Sequence, residues 1–190
     1  MLAKLYTDIH NGKPFIRDQN TITIDDYRPF DGGGLRTLIP HLLQELKQPI
    51  TILDWGCGEA LQWHSQTLVK GTKSLNNVLG PLLQGYYRYD PYHPLYSKLP
   101  TGTWDWIILA DVLEHIPLPD LEPLFKQLLK YAHKQTKFWF TISTKPSRNS
   151  FITGENTHVT QQPVEWWIEL LKQNIPNQTT ALFDPKQIKY

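Results

Sequence analysis

Residues Ile50-Thr-Ile-Leu-Asp54 form a short β-branched run that stops abruptly on Trp-Gly56-Cys-Gly58, and this strand-to-glycine bend constrains the fold more than any other feature. Neither glycine carries a Cβ, so the main chain can turn tightly there and come close to another group. Strand and helix patterns then alternate. A helix is predicted over 60–70, a strand over 86–90, a buried strand over 104–110, and an amphipathic helix over 121–133. A strand over 138–143, a helix over 163–173 opened by Pro163, and a last strand over 179–183 complete the pattern. Such alternation predicts a doubly wound, mostly parallel α/β sheet with helices on both faces. Ligands of these sheets bind beyond the carboxyl ends of the strands. The residues of interest therefore come just after Leu53, Tyr89, Leu109 and Ile142.

The segment before the first strand is mixed and turn-rich, ending in Asp31-Gly32-Gly33-Gly34. From Leu35 a helical stripe runs through Leu38, Ile39, Leu42, Leu43 and Leu46, interrupted or restarted at Pro40. With no repeat and no low-complexity tract, one domain is expected over 1–190, with 1–48 as an N-terminal extension or lid. A net charge of +1 argues against a protein that coats duplex nucleic acid. The single cysteine suits a reducing compartment. No signal peptide or membrane-length apolar run is present, so a cytoplasmic, membrane-free protein is expected.

The helix expected after Gly58 offers N–H groups to a carboxylate. A dinucleotide fingerprint would need a third glycine where Leu61 stands, which disfavours a nicotinamide oxidoreductase. Asp90, at the next strand end, can accept hydrogen bonds from both hydroxyls of a ribose. The bend and Asp90 together read as a nucleoside site.

These residues resemble a known family. Leu53-Asp54-Trp-Gly56-Cys-Gly58, Tyr89-Asp90-Pro91, and Ala110-Asp111-Val-Leu-Glu114-His115-Ile are similar, in order and spacing, to the class I S-adenosylmethionine-dependent methyltransferases. Asn156-Thr-His158, followed by Glu165-Trp166-Trp167, resembles a group of short bacterial and phage methyltransferase-like proteins within it. The resemblance implies a Rossmann-like methyltransferase fold that binds S-adenosylmethionine through Asp54, Gly56, Gly58, Asp90 and Asp111. It covers about Thr51 to Leu171, with one departure. Between Pro91 and Thr103 there is no room for the family's third strand and helix, and its acidic residue at the adenine amino group has no counterpart. Tyr92 or the Gly32–Gly34 loop are the segments expected to close the pocket.

A helical turn over 111–115 would set Asp111, Glu114 and His115 side by side, with His158 brought over the same strand end. Methyl transfer to oxygen needs in-line approach and a deprotonated nucleophile. His115 or His158 can serve as general base, with Glu114 in the same catalytic cluster. By resemblance to methyltransferases of small-RNA ends and of ubiquinone synthesis, Asp111, Glu114, His115 and His158 would instead hold Mg²⁺, Mn²⁺ or Zn²⁺. A purely structural role for the cluster is the third possibility. The expected activity is O-methylation of a small or medium-sized acceptor: a small molecule, a glycan or an RNA end. A non-catalytic S-adenosylmethionine-binding module is the alternative. Three weaker signals are Lys145-Pro-Ser-Arg148 as an anion site, Cys57 as a small residue between the glycines, and one ring of Trp166-Trp167 as a roof.

Overall fold

The computed structural model describes residues 2–26, 33–64, 74–176, 178–183 and 186–189. The chain begins with α1 (Leu2–His10) and a short hairpin, β1 (Phe15–Arg17) and β2 (Asn20–Ile22), followed by α2 (Gly33–Glu45). The glycine bend closes β3 (Ile50–Trp55); α3 (Leu61–His64) and α4 (Leu75–Leu79) then lead to β4 (Leu83–Tyr89). After β5 (Trp104–Ala110) come α5 (Leu118–Leu129), β6 (Ala132–Ile142) and the short β7 (Asn149–Ser150). The chain ends with α6 (Val164–Asn174), β8 (Thr179–Phe183) and β9 (Lys186–Lys189).

The main sheet has the order β4-β3-β5-β6-β8-β9, in which the first five strands are parallel and β9 runs antiparallel to β8. β3 and β5 carry almost continuous buried apolar residues because helices cover both faces of a parallel sheet. Strand alternation divides their side chains between two layers. Ile52, Trp106, Ile108 and Trp139 face α2, Trp63 and α4. Leu53, Ile107, Leu109, Phe138 and Phe140 face α5 and α6 through Leu121, Phe125, Leu128, Trp167 and Leu171. β1, β2 and β7 form a separate antiparallel sheet, and Tyr6, Ile9, Phe15 and Phe151 make its small core.

The elements differ from the sequence expectations in several places. α2 runs through Pro40, which sits on the exposed side, where solvent can reach the backbone that proline leaves without its helical hydrogen bond. α5 starts at Leu118 and stops at Leu129, since the next residues, from Ala132, join β6 and pair with Trp104. The helix expected over 60–70 is described only as far as His64. Residues 91–103 form turns with no strand or helix, leaving β4 at the sheet edge. Among the described residues no helix is long and apolar enough to cross a membrane.

Candidate functional site

β3 lies between β4 and β5, so the chain leaves it first to one side and then to the other. That reversal opens a crevice at the carboxyl ends of the strands. A cavity of about 410 Å³ occupies it, within the range of small-molecule sites. Its walls come from the bend (Trp55, Gly56, Gly58), the end of β4 (Tyr89, Asp90, Tyr92) and the end of β5 (Ala110, Asp111, Val112). Tyr6 and His10 of α1, His115, and one face of α5 complete it.

The bend is tied to the neighbouring strand. The N–H groups of Gly56 and Cys57 both donate to the Tyr89 carbonyl, at 2.7 and 3.1 Å. Gly56 has φ of 76°, and a Cβ there would lie 2.6 Å from a methyl of Val112, so both conformation and space require glycine. The Gly58 N–H donates to Oδ2 of Asp90 at 3.0 Å, and the Tyr92 N–H donates to its Oδ1 at 2.9 Å. Asp90 is buried, yet each of its oxygens keeps a second acceptor position. The glycine bend and the carboxylate one strand over are thus a single hydrogen-bonded unit in the cavity wall.

Asp54 lies elsewhere. Its side chain points to the α2 side of the sheet, where the Trp63 indole N–H donates to Oδ2 at 2.6 Å. Burial pushes its carboxyl up to about 7, and Asp54 does not line the cavity.

The helical turn expected over 111–115 does not form. Asp111 adopts a left-handed φ of 56°, and only Leu113–His115 makes a 3₁₀ turn. The Asp111 N–H donates to Thr141, whose hydroxyl donates back to Asp111 Oδ1 at 2.6 Å, while Gly34 packs directly on this pair. Asp111 therefore lines the cavity but is drawn away from Glu114 and His115. Glu114, His115 and His158 do converge, with one donor atom of each within 4.8 Å of the others.

Glu114 is fully buried, and its Oε1 accepts from the Ser143 N–H at 2.8 Å. His115 Nδ1 lies 2.8 Å from the Thr157 carbonyl, and His158 Nδ1 lies 2.6 Å from the Lys145 carbonyl. A carbonyl only accepts, so both Nδ1 atoms carry the proton and both Nε2 atoms carry the lone pair. Burial, with His158 adding to it, lowers the His115 pKa to about 3, which keeps the ring neutral. The two rings meet edge to face, centroids 4.7 Å apart. The Tyr6 hydroxyl joins this group, 3.0 Å from both His115 Nδ1 and the Thr157 carbonyl.

A second trio, His10, Glu59 and His93, also has metal-like spacing. His10 Nδ1 is 2.9 Å and His93 Nε2 3.6 Å from Glu59 Oε1. Here the tautomer argues the other way. The Leu95 N–H donates to His93 Nδ1 at 3.2 Å, so the lone pair sits on Nδ1 and Nε2 presents an N–H to the carboxylate. This trio is a hydrogen-bonded clasp, whereas in the first both rings turn Nδ1 to main-chain carbonyls.

Comparison with protein-family models, with curated proteins and with solved structures finds no match.

Several other expectations find their places. Tyr92 lines the cavity and stacks on Tyr6, centroids 5.6 Å apart, whereas Gly32 lies outside the described residues. Arg148 pairs with Asp18 through two nitrogens, far from an anion-site arrangement with Lys145, whose carbonyl holds His158. Cys57 is buried and its thiol is pushed up by that burial. Trp167 is core, Trp166 packs on it, and neither lines the cavity. Tyr6, His10 and Glu59 were not anticipated. Tyr6 and His10 lie in a short amphipathic helix with no counterpart in the motif, and Glu59 reads as a turn residue.

Proposed function

We propose that this chain is an S-adenosylmethionine-dependent methyltransferase acting on a hydroxyl of a small or medium-sized acceptor. The observation that carries the reading is the Gly58–Asp90 hydrogen bond at 3.0 Å inside a ligand-sized cavity that also borders the His115 cluster. Asp90 would accept from the ribose hydroxyls through its remaining lone pairs. The bend would let the main chain approach the ligand without a side chain in between. Tyr6 and Tyr92 would exclude water from above.

In the transfer, the acceptor oxygen bonds to the methyl carbon as the carbon–sulfur bond breaks, and the hydroxyl proton must leave. Glu114, His115 and His158 fit a divalent ion: two imidazole lone pairs, each ring oriented by a main-chain carbonyl, and one carboxylate. That donor set suits Zn²⁺ or Mn²⁺ better than Mg²⁺, and such an ion would lower the pKa of the acceptor hydroxyl. Without an ion, the His158 Nε2 lone pair would take the proton directly, since burial makes His115 too weak a base for that step.

S-Adenosylhomocysteine should raise the melting temperature, and NAD should not. Turnover on a panel of hydroxyl acceptors should fall at least about a hundredfold in His115→Ala and His158→Ala, the size of a lost general base or metal ligand. Chelator should abolish activity and added metal restore it; full activity in chelator would leave the His158 imidazole as the base. Binding without turnover on any acceptor would instead indicate a non-catalytic nucleoside-binding module.

A further inference from the structure

A purine base needs two features that Asp90 does not supply: an apolar slot for its faces and polar groups at its edge. The cavity has both on α5. Asp120, Pro123, Leu124 and Gln127 line it at positions i, i+3, i+4 and i+7 of one helical face. The stripe spans about 10 Å, with the apolar pair in the middle and a polar group at each end. Ile116 and Pro117 extend the apolar surface where the chain enters the helix. α5 is reachable because residues 91–103 form turns and place no helix beside it. The Asp120 charge shares this space with Tyr92, whose phenol is held up by burial first and then by Asp90 and Asp120.

We propose that Asp120 and Gln127 form the base-recognition subsite, selecting a 6-aminopurine. The adenine 6-amino group is a donor and its ring nitrogens are acceptors, so a carboxylate matches the first and an amide can serve both. A 6-oxopurine presents an acceptor to Asp120 and is repelled. This inference rests on the nucleoside reading of the cavity and replaces the missing acidic residue of a third strand with one from a helix.

The test is calorimetry on the full chain with S-adenosylhomocysteine and with its 6-oxo analogue, S-inosylhomocysteine. The wild type should prefer the amino ligand by roughly tenfold, since one hydrogen bond exchanged for an acceptor facing a carboxylate is worth about that much. Asp120→Ala should bring the two affinities to within about threefold of each other, chiefly by weakening the amino ligand. Gln127→Leu should weaken both. The ratio of two ligands on one variant is insensitive to a small loss of stability. An unchanged tenfold preference in both variants overturns the subsite while leaving the nucleoside site standing. A wild type that binds neither ligand overturns both.

Discussion

Asp54 and Asp90 both stand at the carboxyl ends of parallel strands, but one lies inside its strand and the other just beyond, which sends them to different environments. Asp90 sits just past its strand and turns back to the Gly58 N–H. Asp54 is still within β3, so its side chain goes to the face opposite Leu53 and Trp55 and meets the Trp63 indole in an apolar layer. Folding raises its pKa from the ordinary 3.8 to about 7. The unfolded chain therefore loses the proton first as pH rises; the stability held by the neutral carboxyl is complete below about pH 4 and is lost as pH rises through 7. Asp54→Asn keeps an acceptor for Trp63 and has nothing to ionise. Its melting temperature should exceed that of the wild type at pH 8, with the gap closing toward pH 4. Equal melting curves at pH 8 would mean that the carboxylate is not destabilising there. The motif made Asp54 legible as important, but only the pleat tells which side of the sheet it serves.

Two helices that lack a catalytic motif shape the site. α1 places Tyr6 and His10 one turn apart, pinning one side of the cavity to His115 and Thr157 and the other to Glu59. Tyr6→Phe should cost about 1 kcal/mol in denaturant unfolding, the net worth of a buried hydrogen bond, and lower turnover by freeing the His115 ring. Unaltered stability and turnover would make the hydroxyl incidental. Gly34, in the first turn of α2, packs on Asp111 and Thr141. Gly34→Ala should destabilise by about 1–3 kcal/mol, because the contact is with a hydrogen-bonded pair that cannot retreat without losing its bonds. A wild-type melting temperature would show that the pair gives way freely. The strands of the main sheet were legible because burial on both faces leaves long apolar runs. α1 does follow a helical period through Leu2, Leu5, Tyr6 and Ile9, but over only nine residues, and the three-residue strands of the β1–β2 hairpin are too short to write one.

At the scale of the whole molecule, the order β4-β3-β5 opens a crevice at the carboxyl ends of the strands, and the sequence pattern pointed to those strand ends. The glycine bend, Asp90 and His115 line the cavity there, while Glu114 and His158, which converge on His115, are not among its lining residues. What the pattern could not yield was the exclusion of Asp111 from that convergence, which depends on a left-handed residue and on Thr141, thirty positions away. The contribution of α5 to the cavity was hidden for a related reason: its polar cavity-facing residues look like any solvated helix face. The central claim is that one nucleoside site joins the bend to Asp90. It is tested most directly by titrating S-adenosylhomocysteine into the wild type and into Asp90→Asn, after confirming that both melt cooperatively. The wild type should bind one equivalent, and the variant should bind at least about tenfold more weakly, having lost the carboxylate's acceptor pair. No heat with the wild type, or equal affinity in the two, would contradict the account.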